Sequence, residues 1–599
     1  MKNMIVLALA LLCSDAFSQT TNFSFTNKPL SDPELPNYGR GAQYWNGTPW
    51  DNSSAPQIPE GTPTSGAKTL YQRWWWSDCE SSQGVYTFTK ASQPIGSWWK
   101  SIEASLEYCA NNGQLFGYGS IMTAYDGQVV YYDGAGSVYP QYLHNLMQSE
   151  TNTKDWVYTG TNSWIPNWNS PSYLNRWRAL QQAAYDYIMN YTIVPSSGPW
   201  AGKTVRGRDI LDWADLRGYG NFGEWHTWPW TQNQPANAVL TDSSYVKIVN
   251  TTKDIWKNVP LHINVSVFDA NGWTEHNPYR AWYALTQSND WGLIGFRDDG
   301  IGDQGKWWLS NNTITYGNWR ADTALQNRWR YSLNTGEPLN GTSTCCPLYY
   351  DIRNQLLNTC HYATFGNGNY GSNSQQTFDT IRTVFKLAGF RYNFNGGYMT
   401  TTLFPNQNFN VALNWRNVGN APIYQKRWRV VYQLKTSSDV EVKKWVSKFN
   451  PFLFLPSSTD SIVAETFNVG NVPVGTTYKL TIKVEDTVGL LSPLFIAINS
   501  PTRNSDGSYT LRSNITVSSS SLPVVWYSFD VSKNDDYINL SWRTSCDNDN
   551  KSFEVERGVD GANFDKISDA EMLNYYNNCL LNENSDNIIK KKSINCIII

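Results

Sequence analysis

The chain has 599 residues, too many for a single hydrophobic core, and its length therefore predicts several domains. The formal net charge of −3 leaves no excess of basic residues, which argues against a protein that binds nucleic acid. Aromatic residues make up 15% of the chain and include 29 tryptophans. Because the C–H faces of sugar rings stack on aromatic rings, this composition favours a carbohydrate ligand, although some tryptophans will fill the core.

The amino-terminal segment predicts export. Lys2 precedes an apolar run over residues 4–12, and Ala16, Phe17 and Ser18 form a small-x-small cleavage site. The apolar run is too short to anchor the chain in a bilayer, and the sequence offers no other transmembrane candidate. We therefore expect a signal peptide over residues 1–18 and a secreted or cell-surface protein that contacts secretion or cell-surface machinery.

Segments with strand character alternate with helical segments between residues 37 and 390. The predicted strands are residues 37–45, 69–76, 115–122, 210–216, 261–268, 291–296, 329–333 and 354–365. The main predicted helices are residues 95–112, 170–191, 243–257, 277–289, 319–327 and 375–387. Eight strands that alternate with helices predict an α/β fold, specifically a (β/α)8 TIM barrel over residues 37–390.

The pattern changes after residue 390 to short alternating strands with no helical segment between them, as in residues 409–415. This predicts an all-β sandwich domain over residues 391–517. A serine linker then leads to a partial β module over residues 522–568. Residues 569–599 are rich in Asn, Ile and Lys without turn signals, and we expect a disordered or aberrant tail there.

Polar side chains follow several predicted strands where those strands end, which is where TIM barrels carry their catalytic residues. The most informative stretch is residues 210–226, a strand that runs into a turn with three glycines, although a charged loop covered by aromatic rings would look similar. Glu224 in this turn and Glu337 after the seventh predicted strand are the candidate catalytic residues. The candidate substrate-binding residues are Asp78, Glu80, Arg217, Tyr219, Asn221, His226, Trp273, Asp298, Asp299 and His361.

Two carboxyl groups on either side of a glycosidic bond are sufficient to hydrolyse it, one as acid and the other as nucleophile or base. A separation of about 5–5.5 Å gives retention and roughly 6.5–9.5 Å gives inversion. The acid has to stay protonated, which an apolar surround achieves. Phe222 and Trp225 are the expected apolar surround of Glu224, and Arg217 is expected to keep the other carboxylate ionised.

Each candidate has a structural alternative. Glu337 could belong to a simple Gly-Glu-Pro turn, and His361 could be a packing residue. The Asp298-Asp299-Gly300 segment could bind substrate or a calcium ion, or be a solvated turn. The five histidines show no His-x-His or His-x-x-x-His spacing and the cysteines form no Cys-x-x-Cys pair, so we predict no metal site. Hydrolysis of this kind needs no organic cofactor.

Around these residues the chain resembles clan A glycoside hydrolases. Residues 73–88, RWWWSDCESSQGVYTF, are similar to the second-strand segment of β-galactosidase-like members. GYGNFGEWH and TGEPL are similar to the strand-four and strand-seven segments of a poorly characterised bacterial family that joins such a barrel to a β-sandwich. The resemblance implies that Glu224 is the acid/base and Glu337 the nucleophile of a retaining enzyme. Gly223 departs from the asparagine usual before the acid/base, and no tyrosine near Phe296 matches the usual partner of the nucleophile.

The segment over residues 522–567 resembles the fibronectin type III-like module of exported Bacteroidetes proteins. Two functional hypotheses follow for the whole chain. The first is a secreted glycoside hydrolase that acts on a β-linked poly- or oligosaccharide, and the second is a noncatalytic carbohydrate-binding protein on a TIM-barrel scaffold. Facing carboxyls of Glu224 and Glu337 would favour the enzyme, and carboxyls that point apart would favour the binding protein.

Overall fold

The computed structural model describes most of the chain between residues 20 and 519. The described ranges are 20–30, 35–45, 67–125, 128–264, 277–302, 314–338, 353–366 and 386–519, followed by five strands between residues 526 and 597. The predicted signal peptide and Trp273 lie outside them. Among the helices within these ranges, none has the length and apolar character that a bilayer crossing requires.

The central element is a parallel sheet of seven strands that neighbour one another in chain order. Its strands are β1 (Tyr44–Trp45), β2 (Thr69–Trp75), β3 (Leu115–Ile121), β4 (Leu211–Leu216), β5 (Leu261–Asn264), β6 (Gly295–Ile301) and β7 (Asn334–Pro338). Every residue of β2 and of β3 is buried. This is expected of a parallel sheet that is covered on both faces, and most side chains of the two strands are apolar, although β2 also contains Gln72 and Arg73.

Helices connect these strands and begin at capping residues that the sequence makes visible. They are α1 (Ile102–Asn112), α2 (Pro171–Asn190), α3 (Asp242–Ile255), α4 (Pro278–Thr286) and α5 (Ala321–Asn327). The hydroxyls of Ser101, Ser170 and Thr241 accept hydrogen bonds from backbone N–H groups in the first turns of α1, α2 and α3. The predicted helix over residues 375–387 lies largely outside the described residues.

Two predicted strands are displaced. The sixth, predicted over residues 291–296, is Gly295–Ile301, so Asp298 and Asp299 lie within it. Residues 329–333 were expected to form the seventh strand, but Arg328–Arg330 form a 3-10 turn and the strand is Asn334–Pro338. Trp329 is buried in that turn instead of in the sheet. Glu337 consequently lies within β7 and not in a loop after it.

A short strand, β8 (Thr364–Phe365), follows a π-helical turn over Gln355–Thr359 and pairs in parallel with Gly41–Ala42. Backbone hydrogen bonds also connect its surroundings to β7. Ala363 N donates to Asn334 O at 3.0 Å, and Gly366 N donates to Gly336 O at 2.7 Å. The closed (β/α)8 barrel stays a prediction, because the hydrogen-bonded sheet itself contains seven strands.

Two further sheets are formed mainly by residues beyond 390, and one of them also includes a strand from the amino-terminal segment. One contains Thr20–Phe23, Tyr392–Thr400, Asn408–Asn417 and Ser461–Asn468, and the other contains Thr402–Leu403, Trp428–Thr436, Glu441–Val446, Thr477–Asp486 and Tyr509–Val517. All but one of their pairings are antiparallel. Aromatic rings pack between the sheets, with centroids 5.4 Å apart for Tyr432 and Phe467 and 5.1 Å apart for Phe409 and Trp445.

These sheets contact the amino-terminal end of the parallel sheet. Asp212, near the start of β4, accepts hydrogen bonds from Tyr424 Oη at 2.9 Å, Gln425 Nε2 at 2.7 Å and Thr69 Oγ1 at 2.8 Å. Its role in this contact explains why Asp212 interrupts the apolar alternation of its strand. The carboxyl ends of the strands, on the opposite edge, are where the candidate site lies.

The last described strands form two small antiparallel groups. Trp526–Asn534, Tyr537–Ser545 and Ile589–Ile597 make a three-stranded sheet, and Ser552–Gly558 pairs with Phe564–Glu571. Ile589–Ile597 lies inside the segment that we expected to be disordered or aberrant. The other residues beyond 571 fall outside the described ranges.

Candidate active site

Hydrogen bonds hold the turn after β4 in its shape. Asn221 N donates to His226 O at 2.7 Å, and Trp225 Nε1 donates to Leu216 O at 2.8 Å. Phe222 and Trp225 adopt positive φ of 51° and 68°, a conformation that is strained for non-glycine residues and clusters at functional sites. The indole of Trp225 therefore turns back against β4, and Glu224 faces the polar side chains at the ends of the strands.

Three guanidinium groups from three different strands or turns surround Glu224. Arg73 Nη1 lies 2.7 Å from Glu224 Oε1, Arg297 Nη1 lies 3.5 Å from it, and Arg217 Nη2 lies 4.0 Å from it. His226 Nε2 lies 3.8 Å from the other oxygen, Oε2. This carboxyl is therefore placed among positive charges, and not in the apolar surround that the sequence predicts.

Arg297 connects the two candidate catalytic residues. While its Nη1 contacts Glu224, its Nη2 lies 2.9 Å from Glu337 Oε2. The side chain of Arg297 is 1% exposed, and those of Glu224 and Glu337 are 10% and 9% exposed. The structure thus brings the two carboxyl groups to one guanidinium, and all three side chains are at least nine-tenths buried.

The two carboxyl groups have opposite pKa shifts. Burial raises the pKa of Glu224, but the hydrogen bond from His226 and the positive charges of Arg73, Arg297 and Arg217 outweigh it and hold this pKa well below its usual range. Burial also raises the pKa of Glu337. The positive charges of Arg297 and Arg73 oppose this shift, but the negative charge of Glu224 adds to it and the pKa stays raised. Glu224 is the ionised partner and Glu337 is the carboxyl shifted toward its protonated form.

Tyr71 on β2 holds the arginines in place. Its hydroxyl donates to Asp215 Oδ2 at 2.5 Å and accepts a hydrogen bond from Arg217 Nη2 at 2.7 Å. The guanidinium carbons of Arg73, Arg217 and Arg297 lie 5.7, 5.9 and 5.9 Å from the centre of its ring, which is cation–π distance.

Asp215 receives a further contact from His262 Nδ1 at 3.2 Å. Burial lowers the pKa of His262 despite this neighbouring carboxylate. Our sequence analysis missed Tyr71, Arg73 and Arg297 as site residues. A signal for the first two existed, because Tyr71 and Arg73 are two apart on one strand and therefore share a face.

Other predicted site residues lie in the same region. Asp298 accepts hydrogen bonds from Gly300 N and Tyr362 Oη, each at 3.0 Å, and Asp299 Oδ2 accepts one from Asn264 Nδ2 at 3.0 Å. Glu224, His226 and Asp299 each offer a ligand atom within 4.8 Å of the others, a spacing that can hold a metal ion. The three arginines around Glu224 disfavour a cation there, because they already supply the positive charge that a metal would bring.

Two predicted substrate-binding residues in the turn are held by local contacts. Asn221 Oδ1 accepts a hydrogen bond from Tyr125 N at 3.1 Å. The ring of Tyr219 packs against Trp168 with centroids 4.7 Å apart, and burial raises the pKa of Tyr219 to about 12.

Asp78, Glu80 and His361 have partners away from the carboxyl pair. Glu80 accepts hydrogen bonds from Trp76 Nε1 at 2.9 Å and from Arg176 on α2. Burial raises the pKa of Asp78 to about 6, even though the ammonium of Lys100 lies 3.4 Å away and opposes the shift. The ring of His361 packs at a tilt against that of Trp329, with centroids 4.1 Å apart, and its Nδ1 lies 2.7 Å from Asn420 O. His361 precedes β8 in the chain.

Comparisons with known proteins give no further identification. No protein-family model matches the sequence, and no curated protein matches it at a significant level. The resemblance to clan A glycoside hydrolases therefore depends on the short motifs around Glu224 and Glu337. A function for the chain therefore has to be inferred from the geometry and charges of the site.

Proposed function

We propose that the chain is a secreted glycoside hydrolase that cleaves a β-linked poly- or oligosaccharide with Glu224 and Glu337. The observation that carries this proposal is the contact of one buried guanidinium, that of Arg297, with both carboxyl groups. Two neighbouring carboxyls whose environments move their pKa values apart are a basis for assigning an acid and a nucleophile.

The charges favour roles opposite to those that the family resemblance implies. Glu337, with its raised pKa, is suited to donate a proton to the glycosidic oxygen. Glu224, held ionised by Arg73, Arg217 and Arg297, is suited to attack the anomeric carbon. We therefore assign Glu337 as acid/base and Glu224 as nucleophile.

The reaction runs in two steps with this assignment. Glu224 Oε2 or Oε1 bonds to the anomeric carbon as the bond to the leaving oxygen breaks, and that oxygen takes the proton of Glu337. Water then attacks the same carbon, gives its proton to the Glu337 carboxylate, and displaces Glu224. Two inversions leave the product with the configuration of the substrate.

The proposed fold is a closed eight-stranded barrel. Hydrogen bonds from Ala363 and Gly366 to β7, together with the pairing of β8 with Gly41–Ala42, support closure between the last and first strands. Closure would place the ends of β4 and β7 on opposite sides of the barrel mouth. One carboxyl could then attack the anomeric carbon while the other protonates the leaving oxygen.

Azide rescue of two alanine variants tests the roles. With an aryl β-glycoside and azide, Glu224→Ala is expected to release the α-glycosyl azide, because azide replaces the nucleophile and inverts the anomeric centre once. Glu337→Ala is expected to release the β-glycosyl azide. The reverse pattern would restore the roles that the resemblance implies.

Activity itself is tested with conservative variants. Glu337→Gln and Glu224→Gln are each expected to lower kcat by about 10²-fold or more, since each loses an essential proton carrier or nucleophile. Glu441→Gln, an exposed residue of the antiparallel sheet, is the matched control and should leave kcat unchanged. Full activity in both site variants would remove the proposal.

A second candidate function is noncatalytic carbohydrate binding. It is favoured by the near-complete burial of both carboxyls in ion pairs with Arg297, an arrangement that also suits a structural role. It predicts that the wild-type protein retains polysaccharide without releasing reducing ends. It also predicts that Glu337→Gln leaves retention unchanged.

A further inference from the structure

Three aromatic side chains lie next to the site on the segments that follow β3 and β4. They are Tyr125, Phe222 and Trp228, which we call the aromatic lip. The ring of Tyr125 is 5.9 Å from that of Phe222 and 5.7 Å from that of Trp228, at interplanar angles of 73° and 76°. Tyr125 therefore supports both neighbours through edge-to-face contacts.

Backbone hydrogen bonds fix the aromatic lip to the site. Tyr125 N donates to Asn221 Oδ1 at 3.1 Å, and Phe222 N donates to Thr123 O at 2.9 Å. Phe222 O also accepts a hydrogen bond from Arg217, the arginine beside Glu224. The lip is thus continuous with the pocket that holds the two carboxyls, and Phe222 is two residues from Glu224.

Trp228 is exposed although its loop is well packed. Half of its surface is accessible, whereas Thr227 is 4% exposed and Trp230 is fully buried. Thr227 Oγ1 shares a hydrogen bond of 2.9 Å with Thr231, and the ring of Trp230 packs 6.2 Å from that of Tyr158. Unlike a singly exposed tryptophan, Trp228 lies beside the ring of Tyr125, which also contacts Phe222, and together they form an exposed aromatic surface next to the site on which a ligand can stack.

We propose that the aromatic lip is a subsite that stacks a sugar unit beyond the scissile bond, which makes the substrate an oligo- or polysaccharide with flat, equatorially substituted rings. Such rings, of the glucose or xylose configuration, present a continuous C–H face to the indole of Trp228 and direct their hydroxyls outward. An axial hydroxyl covers one face of the ring with a polar group, so a ring that carries one can stack on the indole through its other face only. This inference rests on the proposed function, because it takes the pocket of Glu224 and Glu337 as the place of cleavage.

The test measures binding without turnover, in protein that carries Glu337→Gln. Cellohexaose, xylohexaose and mannohexaose are titrated calorimetrically into this protein and into versions that also carry Trp228→Ala, Trp228→Phe or Trp98→Ala. Trp98 is the matched control, because it is 43% exposed but lies in a 3-10 turn before α1. Trp228→Ala is expected to weaken cellohexaose or xylohexaose binding about tenfold, the equivalent of one lost stacking contact.

Trp228→Phe keeps an aromatic ring, so its affinity for the hexasaccharide should stay within about threefold of the parent's. Trp98→Ala should bind with the affinity of its parent. Equal affinity of the Trp228→Ala and Trp98→Ala proteins would overturn the subsite, as would the absence of binding of every hexasaccharide to the parent. Hydrolysis by the otherwise wild-type enzyme separates the two proposals. If binding depends on Trp228 but the protein hydrolyses none of the hexasaccharides, sugar stacking on the aromatic lip is supported and the proposed hydrolase activity is contradicted.

Discussion

Arg73 Nη1 donates a hydrogen bond of 2.7 Å to Oε1 of Glu224, which joins the end of β2 to the turn after β4. The two side chains are 3% and 10% exposed, so little water screens the pair. An ionised carboxylate is stable in such a place only while its positive partners remain. The ionisation of Glu224 therefore depends on a residue 151 positions away in the chain.

Replacing Arg73 with methionine should raise the pKa of Glu224, because one of its three guanidinium neighbours is lost. A nucleophilic carboxyl has to be ionised, and it is ionised only at pH values above its pKa. A higher pKa for Glu224 therefore removes activity at the acidic end of the pH range. We expect the acidic limb of the kcat/KM profile to move to higher pH. We also expect a destabilisation of about 3 kcal/mol in denaturant unfolding, typical of a broken buried pair.

Arg429→Met is the control for this experiment. Arg429 pairs with Glu485 on the antiparallel sheet, where its side chain is 44% exposed. Its loss should cost less than about 1 kcal/mol and leave the pH profile unchanged. An acidic limb that does not move in Arg73→Met would contradict the role of this arginine.

Tyr71→Phe should lower activity by removing one of the hydrogen bonds that position Arg217. The variant loses a hydroxyl that bonds to both Asp215 and Arg217 but keeps the ring on which three guanidiniums lie, and it leaves the direct contact between Arg217 Nε and Asp215 Oδ2 at 2.7 Å. Leaving buried polar groups without their partner costs about 1–3 kcal/mol of stability. Tyr424→Phe is the matched control, since its buried hydroxyl donates to Asp212 at the other end of the sheet.

The two tyrosine variants should lose similar stability, but only Tyr71→Phe should lower kcat. Thermal unfolding and steady-state kinetics on an aryl β-glycoside measure both quantities. Equal kcat values in the two variants would show that the network around Tyr71 is structural only.

Gly220→Ala should disturb the turn that carries Glu224. Gly220 has a φ of 85°, and an added Cβ would lie 2.6 Å from His226 O. Its ψ of 177° completes a backbone conformation that essentially only glycine adopts and that costs other residues about 1–3 kcal/mol, and the clash adds to this. Gly475→Ala is the control with φ of 76° and no atom within 4 Å of the new Cβ. We expect a larger loss of stability in Gly220→Ala, and a loss of kcat in that variant alone.

His144 should make stability depend on pH. Its Nδ1 lies 2.8 Å from Asp155 and its Nε2 lies 2.9 Å from Asp133, while Tyr139 Oη also donates to Asp155. Burial lowers the pKa of His144, but the two carboxylates outweigh it and leave the pKa raised.

A histidine with a raised folded-state pKa contributes stability that is fully present below its unfolded pKa of about 6.5. This contribution is lost as pH rises through the folded-state value. The difference in Tm between the wild-type protein and His144→Asn should therefore be largest near pH 5 and narrow at higher pH. Calorimetric scans across that range measure it, and a gap that widens with pH would refute the assignment.

Local signals were sufficient for much of the architecture. The strands over residues 69–76 and 115–122 were predicted nearly where β2 and β3 lie, and both are buried as parallel strands usually are. The predicted helix over residues 170–191 matches α2, whereas the one over residues 95–112 was expected to begin well before Ser101, which caps α1. The glycines after β4 pointed to Glu224, because only a special turn needs three of them. The seventh strand was misplaced because the alternating residues 329–333 begin in a 3-10 turn, and so short an alternating run does not by itself distinguish a strand from a turn.

The sequence by itself determined that strands alternate with helices before residue 390, that β-structure follows, and that Glu224 and Glu337 are carboxyls near strand ends. Only the tertiary structure decided that their pKa values shift in opposite directions. Sequence neighbours suggested an apolar surround for Glu224, but Trp225 turns away and arginines from β2 and β6 take its place. The physical reason is that a pKa depends on the charges and solvent around a group in space, and parallel strands bring distant residues to the same edge.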